Sequence, residues 1–313
     1  MLKLNLPGPT IYTWHNRAIA IIDENALIKR KPTKKDWQAI LAQALKVEPK
    51  VAGAILDGVA RVKGMAKVNV IGRAAAKGNV RAVLDAIDFD ELGTMNPVIA
   101  KALRALMEQS AEAAAALLPK EAVIQFDLVN PKAVEWMRNQ GGKLITMISD
   151  TTRETLKDVI VRAFNEGRPP LVAARDIINH IGLTPRLAMA VANHRSLLEQ
   201  EGAKEIEAKV QRYAERLLRY RARMIARTET KEAAIKGQQL LWEQAQRDGL
   251  LSQQARKFWL LSADPCKQIC RPIPGLNPNG VLVSANFSTP AGSLQGPPGH
   301  PNCRCGMTMR VIK

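Results

Sequence analysis

Apolar residues recur every three or four positions over most of this chain, the repeat of helices that bury one face. Trp37, Ile40, Leu41 and Leu45 share a face of a helix predicted over 36–46, with Asp36 as its N-cap. Residues 51–87 interleave apolar positions with Gly53, Gly58, Gly64, Gly72 and Gly78, which predicts short, closely packed helices. A helix over 98–118 follows, carrying Val98, Leu103, Leu106 and Met107 and ended by Pro119. The character then changes: 122–130 reads as extended or loop, and 133–140 as a short helix closed by Gly141 and Gly142. Ser149, Asp150, Thr151 and Thr152 are the expected cap of a helix through Asn165, with Leu156, Val159, Ile160, Ala163 and Phe164 on one face. Another helix is predicted over 173–181, ended by Gly182, and Thr184-Pro185 opens the next. From Pro185 to Leu241 the pattern is long and helical.

The two ends differ from this pattern. Residues 1–30 are mixed, with a loop at Pro7-Gly8-Pro9, an apolar cluster at Ile19-Ala-Ile-Ile22, and His15 beside Trp14, read as packing. The basic run 29–35 is a solvated linker or, on the sharper reading, a nucleic-acid or portal contact. Residues 272–299 are rich in Pro, Gly, Asn and Ser, with too little apolar surface to order themselves cheaply. The expected fold is therefore mostly α, with helical N-terminal and central regions and a small irregular α+β C-terminal module. Three regions are expected: 1–120, 121–235 and 236–313.

Charge adds a constraint. The 46 Lys and Arg outnumber the 29 Asp and Glu, giving a net charge of +17. Such an excess implies a polyanionic neighbour or acidic partner surfaces. Arg212, Arg216, Arg219, Arg223 and Arg227 recur at three- and four-residue spacing and lie near one helix face. The plain reading is a solvated basic face. The functional one makes Arg212, Arg216, Arg219 and Arg223 a phosphate-tracking ridge. Aromatic residues make up 4% of the chain, too few for a base-stacking platform, so single-strand recognition is disfavoured. No apolar run approaches the roughly 18 residues that span a bilayer. No helix pairs a basic face with a Trp/Phe/Leu face, so no membrane contact is expected. The opening residues lack the apolar core of a secretory signal, and the expected compartment is a cytoplasm.

All four cysteines flank the Pro/Gly-rich loop: Cys266 and Cys270 before it, Cys303 and Cys305 after it, beside His300. These five side chains offer more ligands than the four a structural zinc needs. The Cys-x-Cys spacing is expected to strain two bonds to one ion. The preferred set is Cys266, Cys270, His300 and Cys303, with Cys305 in place of His300 as the alternative. A metal there would fix both ends of a segment that has no core of its own. The rivals are thiols that stay reduced and disulfides formed later. No catalytic residue is expected. A zinc deaminase needs His-x-Glu ahead of its cysteine pair, and none of His15, His180, His194 or His300 is followed by that glutamate. No phosphate-binding loop or His-Glu-x-x-His motif is present either.

Ala226-Arg227-Thr228-Glu229, then Trp259, Asp264, the cysteine pair, and the closing His300-Pro-Asn-Cys-Arg-Cys305 occur in an order that resembles the head morphogenesis domain of Mu F-like minor head proteins of tailed bacteriophages. The resemblance covers about residues 120–310. The chain departs from the pattern in the three-residue gap between Cys266 and Cys270 and in Pro265 ahead of the first cysteine. The resemblance implies a minor capsid protein of few copies, non-enzymatic, at the portal vertex inside the capsid, and in the host cytoplasm during assembly. Its implied partners are the portal protein, the major capsid protein or scaffold, and packaged double-stranded DNA. Arg227, Thr228, Glu229, Trp259 and Asp264 become structural motif residues, with Arg227 and Glu229 pairing to neighbouring helices or to the loop bearing Asp264. The alternatives are a general DNA-binding protein and a zinc-dependent enzyme built on the cysteines.

Overall fold

The computed structural model describes residues 10–14, 17–21, 34–115, 118, 124–127, 130–139 and 143–311. His15, Pro119, Gly141 and Gly142, and most of the basic run 29–35, lie outside them. The fold is mostly α. The helices are α1 (Lys34–Met65), α2 (Val68–Ala75), α3 (Val80–Asp85), α4 (Asn96–Ala115), α5 (Pro131–Asn139), α6 (Lys143–Asn165), α7 (Pro170–His180), α8 (Pro185–Gln200), α9 (Ile206–Arg247) and the single turn α10 (Ile273–Leu276). The strands are β1 (Thr10–Trp14), β2 (Arg17–Ile21), β3 (Ala255–Leu260), β4 (Val281–Leu282), β5 (Phe287–Thr289), β6 (Gly292–Leu294) and β7 (Gly306–Val311). Strands β1 and β2 form an antiparallel hairpin within the region expected to be helical.

The chain forms two compact units, each assembled from separated segments. The first comprises Met1–Glu48, Ala102–Gly141 and Arg227–Lys313; the second comprises Pro49–Lys101 and Gly142–Ala226. This grouping interleaves along the chain, whereas the regions read from the sequence are consecutive.

In the first unit, α4 and α9 approach backbone to backbone. A Cβ on Gly237 would sit 2.1 Å from the Met107 carbonyl oxygen, so no larger residue fits. The C-terminal module is a three-stranded antiparallel sheet of order β4-β3-β7, accompanied by the β5–β6 hairpin. Ala255, Lys257 and Trp259 alternate inward along β3. Trp37 of α1 packs flat on the start of β7, where a Cβ on Gly306 would meet its ring at 2.2 Å.

In the second unit, Gly72 lets α2 close on α7: a Cβ there would lie 2.7 Å from the Pro170 carbonyl oxygen. Asp176 accepts from Arg168 at 2.7 Å and from Arg195 at 3.5 Å, and Arg195 forks onto Glu207 at 2.6 and 2.8 Å. The hydrogen bonds from Arg195 hold Glu207 below the usual carboxylate range. Arg221 is buried without a carboxylate: it donates to the Gly182 carbonyl at 2.7 Å and to Thr151 Oγ1 at 2.6 Å. Desolvation pulls it down to about 10.

Several expectations need correcting. Helix α1 runs unbroken through Pro49, Gly53, Gly58 and Gly64. A buried stripe of Ile40, Ala44, Val51, Ile55, Val59 and Val62 overrides the breakers. Asp36 thus lies within its first turn, and Leu45 is 51% exposed. Helix α6 begins at Lys143, so Ser149 to Thr152 do not cap it. The hydroxyls of Thr151, Thr152 and Thr155 instead bond back to carbonyls four residues earlier, at 2.7, 2.6 and 2.6 Å. Leu156, Val159, Ile160 and Ala163 are buried as expected, but Phe164 is 48% exposed, with its ring over Gly78. The long helical stretch is broken into α8 and α9 at Gly202 and Glu205, both with positive φ. Thr184 does cap α8, accepting from the Leu187 amide at 3.4 Å.

Candidate metal centre

The site grows from the end of the β3–β7 ladder. Leu260 pairs with Gly306 as the last rung, so 261–270 and 300–305 emerge side by side. Cys305 is one residue beyond that rung, and the Ser262 amide donates to its sulfur. Cys270 closes a turn in which the Arg271 amide donates to the Cys266 carbonyl at 2.9 Å. Cys303 closes another, its amide donating to the His300 carbonyl at 3.1 Å, with Asn302 in the left-handed region at φ 63°. The sulfurs of Cys270, Cys303 and Cys305 all lie within 4.8 Å of one another, and Cys270 Sγ is 3.7 Å from Cys303 Sγ. Their exposures are 0%, 1% and 1%.

Three thiols this close and this dry cannot all ionise. Hydrogen bonding from Cys303, aided by the Ser262 amide and the Trp259 indole, pulls Cys305 down to about 5. Desolvation and the charge on Cys305 push Cys270 up to about 11, and the same hydrogen bond drives Cys303 up. The hydrogen bonding thus favours Cys305 as the thiolate of the group, and a cation would displace the protons on its neighbours. The Trp259 indole nitrogen is buried with no acceptor in hydrogen-bond geometry among the described residues, and it lies near enough to the Cys305 sulfur to favour its thiolate. The donor set fits a thiophilic metal, and the buried group of Cys270, Cys303 and Cys305 could hold one.

An open pocket of about 410 Å³ lies over the cluster and brings Asp264, Cys266, His300 and Arg304 to its walls beside Cys270 and Cys305. Cys266 is half-buried, and the amides of Ile269 and Gln268 donate to its sulfur and lower its pKa. His300 Nδ1 is 2.8 Å from the Pro301 carbonyl, which can only accept. In the neutral ring this contact places the proton on Nδ1 and makes Nε2 the nitrogen with the lone pair a metal ligand needs.

The triad differs from the preferred sequence set, because Cys305 joins Cys270 and Cys303 while Cys266 and His300 stand at the rim. Cys303 and Cys305 are both buried on either side of the exposed Arg304, so the Cys-x-Cys spacing does not keep their sulfurs apart. The irregular segment 303–305 carries both sulfurs inward.

The motif residues surround this cluster. Arg227 donates to both carboxylate oxygens of Glu48, at 3.2 and 3.0 Å, and to Asn302 Oδ1 at 2.7 Å. Thr228 Oγ1 accepts from the Asn302 amide at 2.9 Å. One turn on, Lys231 donates to the Cys303 carbonyl at 3.0 Å. Glu229 is 1% exposed, and Trp259 crosses the Phe287 ring edge-on at 5.5 Å. Arg227 pairs with Glu48 rather than with the exposed Asp264, as the loop bearing Asp264 turns toward the pocket. Glu48, Lys231, Ser262 and Asn302 were not foreseen. Only Asn302 and Lys231 sit close enough to recognised motifs to have been suspected. Arg212, Arg216, Arg219 and Arg223 are all exposed on α9, away from this centre in sequence and in the other compact unit.

No known protein family, curated protein or solved structure matches the chain.

Proposed function

We propose that this chain is a structural assembly protein of the minor-head type from a tailed bacteriophage, with its C-terminal module stapled by zinc. One observation carries the reading: three motif pieces far apart in sequence meet around one buried thiol group. Arg227 and Thr228 hold Asn302, Trp259 faces Cys305, and the closing cysteines complete the cluster. These are the pieces on which the resemblance rests, and each packs against or hydrogen-bonds a neighbour around the cluster.

Zinc is the metal that three thiolates favour in a closed structural site. Cys266 or His300 at the pocket rim would supply the fourth ligand. When bound, the ion would replace the remaining thiol protons of its ligands and tie 261–270 to 300–305. The protein would act at the portal vertex, touching portal protein and major capsid protein or scaffold, in procapsid assembly, DNA packaging or delivery. It would reside in the virion, after assembly in the host cytoplasm, without enzymatic activity.

The test is particle composition. Mass spectrometry of purified procapsids and virions should find this chain at low copy number together with the portal protein. Its absence from both would contradict the reading.

A further inference from the structure

A second concave site lies in the other compact unit, between α8 and α9. It encloses about 430 Å³, and four of its lining side chains are cationic: Lys209, Arg212, Arg216 and Arg219. No carboxylate lines it. Among the described residues Lys209, Arg212 and Arg216 make no ion pair, and Arg219 reaches Glu215 only at 3.9 Å, both side chains being about half exposed. Glu215 also accepts from Gln211 at 3.0 Å.

The pocket floor carries two ring contacts. The His194 and Tyr213 rings stack at 4.4 Å, and the Arg216 guanidinium lies over Tyr213 at 4.7 Å. A guanidinium parked on an aromatic face is oriented before any anion arrives. Tyr213 is already engaged by His194 and Arg216, and no other aromatic ring among the described residues lines the pocket as a platform for an unpaired base.

Lys209 to Arg219 span ten residues, about 15 Å along the helix axis at 1.5 Å per residue. One strand of a duplex presents a phosphate every 3.4 Å or so of axis, about four over that length. Four cations thus face about four phosphates, without base contacts. We infer that this α8–α9 pocket is a duplex nucleic-acid backbone site, which Lys209, Arg212, Arg216 and Arg219 grip through successive phosphates without reading sequence. The inference rests on the minor-head reading only for naming the duplex as packaged genome.

The test uses the full-length chain and a labelled random-sequence 30-base-pair DNA duplex, with a duplex RNA of equal length as a second arm, titrated from low to moderate salt. Arg212→Ala with Arg216→Ala is compared with Lys101→Ala with Arg104→Ala, an equal loss of exposed charge on α4. The pocket pair should weaken DNA binding tenfold or more and reduce the log–log salt slope by about two, since each phosphate contact contributes about 0.9. The α4 pair should change affinity less than threefold. Equal loss in both pairs or an unchanged slope in the pocket pair would overturn the inference, and binding to the RNA alone would overturn the naming of the duplex as packaged genome. Binding is read without particles, so its failure is distinct from absence of the chain from procapsids and virions.

Discussion

Lys257 places a whole side chain in the core at 0% exposure, its ammonium donating to Gln239 Oε1 at 3.1 Å and to the Gln295 carbonyl at 2.7 Å. Burial pulls its pKa down to about 7. Between that value and the ordinary lysine pKa the unfolded chain binds more protons than the native one, so stability rises with pH through this window and is lowest below it. Urea unfolding should show wild-type stability increasing from pH 7 to 8.5 by on the order of 1 kcal/mol more than in Lys257→Met. Parallel curves for the two proteins would mean that Lys257 keeps its proton in the fold. Nothing in the sequence marks this lysine as buried, because in the stretch Ala255-Arg-Lys-Phe-Trp259 a strand could turn either face inward. Only its pairing with β7 fixes which side Lys257 takes.

At the scale of elements, close backbone approach decides where glycine is required. Gly237→Ala would drive a methyl group into the Met107 carbonyl and should cost on the order of 3 kcal/mol. Gly53→Ala, with nothing within 4 Å of its Cβ position, should instead stabilise helix α1 by about 0.5–1 kcal/mol. Thermal melts of the two variants should move in opposite directions, and a shared direction would refute the close-approach account. Helix periodicity was legible wherever an apolar stripe was long, as in α6 through Leu156, Val159 and Ile160. Boundaries were less so, since Pro49 suggested a break that burial overrode, and Gly202 and Glu205 made a break inside an unbroken pattern. The five ligand candidates could be read directly from the sequence. The inner three could not, because their selection depends on the last rung of a ladder between residues almost fifty apart in sequence.

For the whole molecule, the two compact units hold different candidate chemistries: a thiol cluster in one and a cationic pocket in the other. The net charge of +17 bears on the second, and the closing motif bears on the first. No helix is long and apolar enough to cross a membrane among the described residues. The central claim is that the C-terminal module is a metal-clasped structural domain, and metal stoichiometry tests it most directly. Full-length protein purified under reducing conditions without added metal should carry about one zinc per chain. Cys303→Ser should lose both the zinc and cooperative unfolding of the module, while Cys266→Ala and His300→Ala identify the outer ligand by which of them releases metal. A wild-type chain that is metal-free yet folds cooperatively, and a Cys303→Ser variant indistinguishable from it, would contradict the claim.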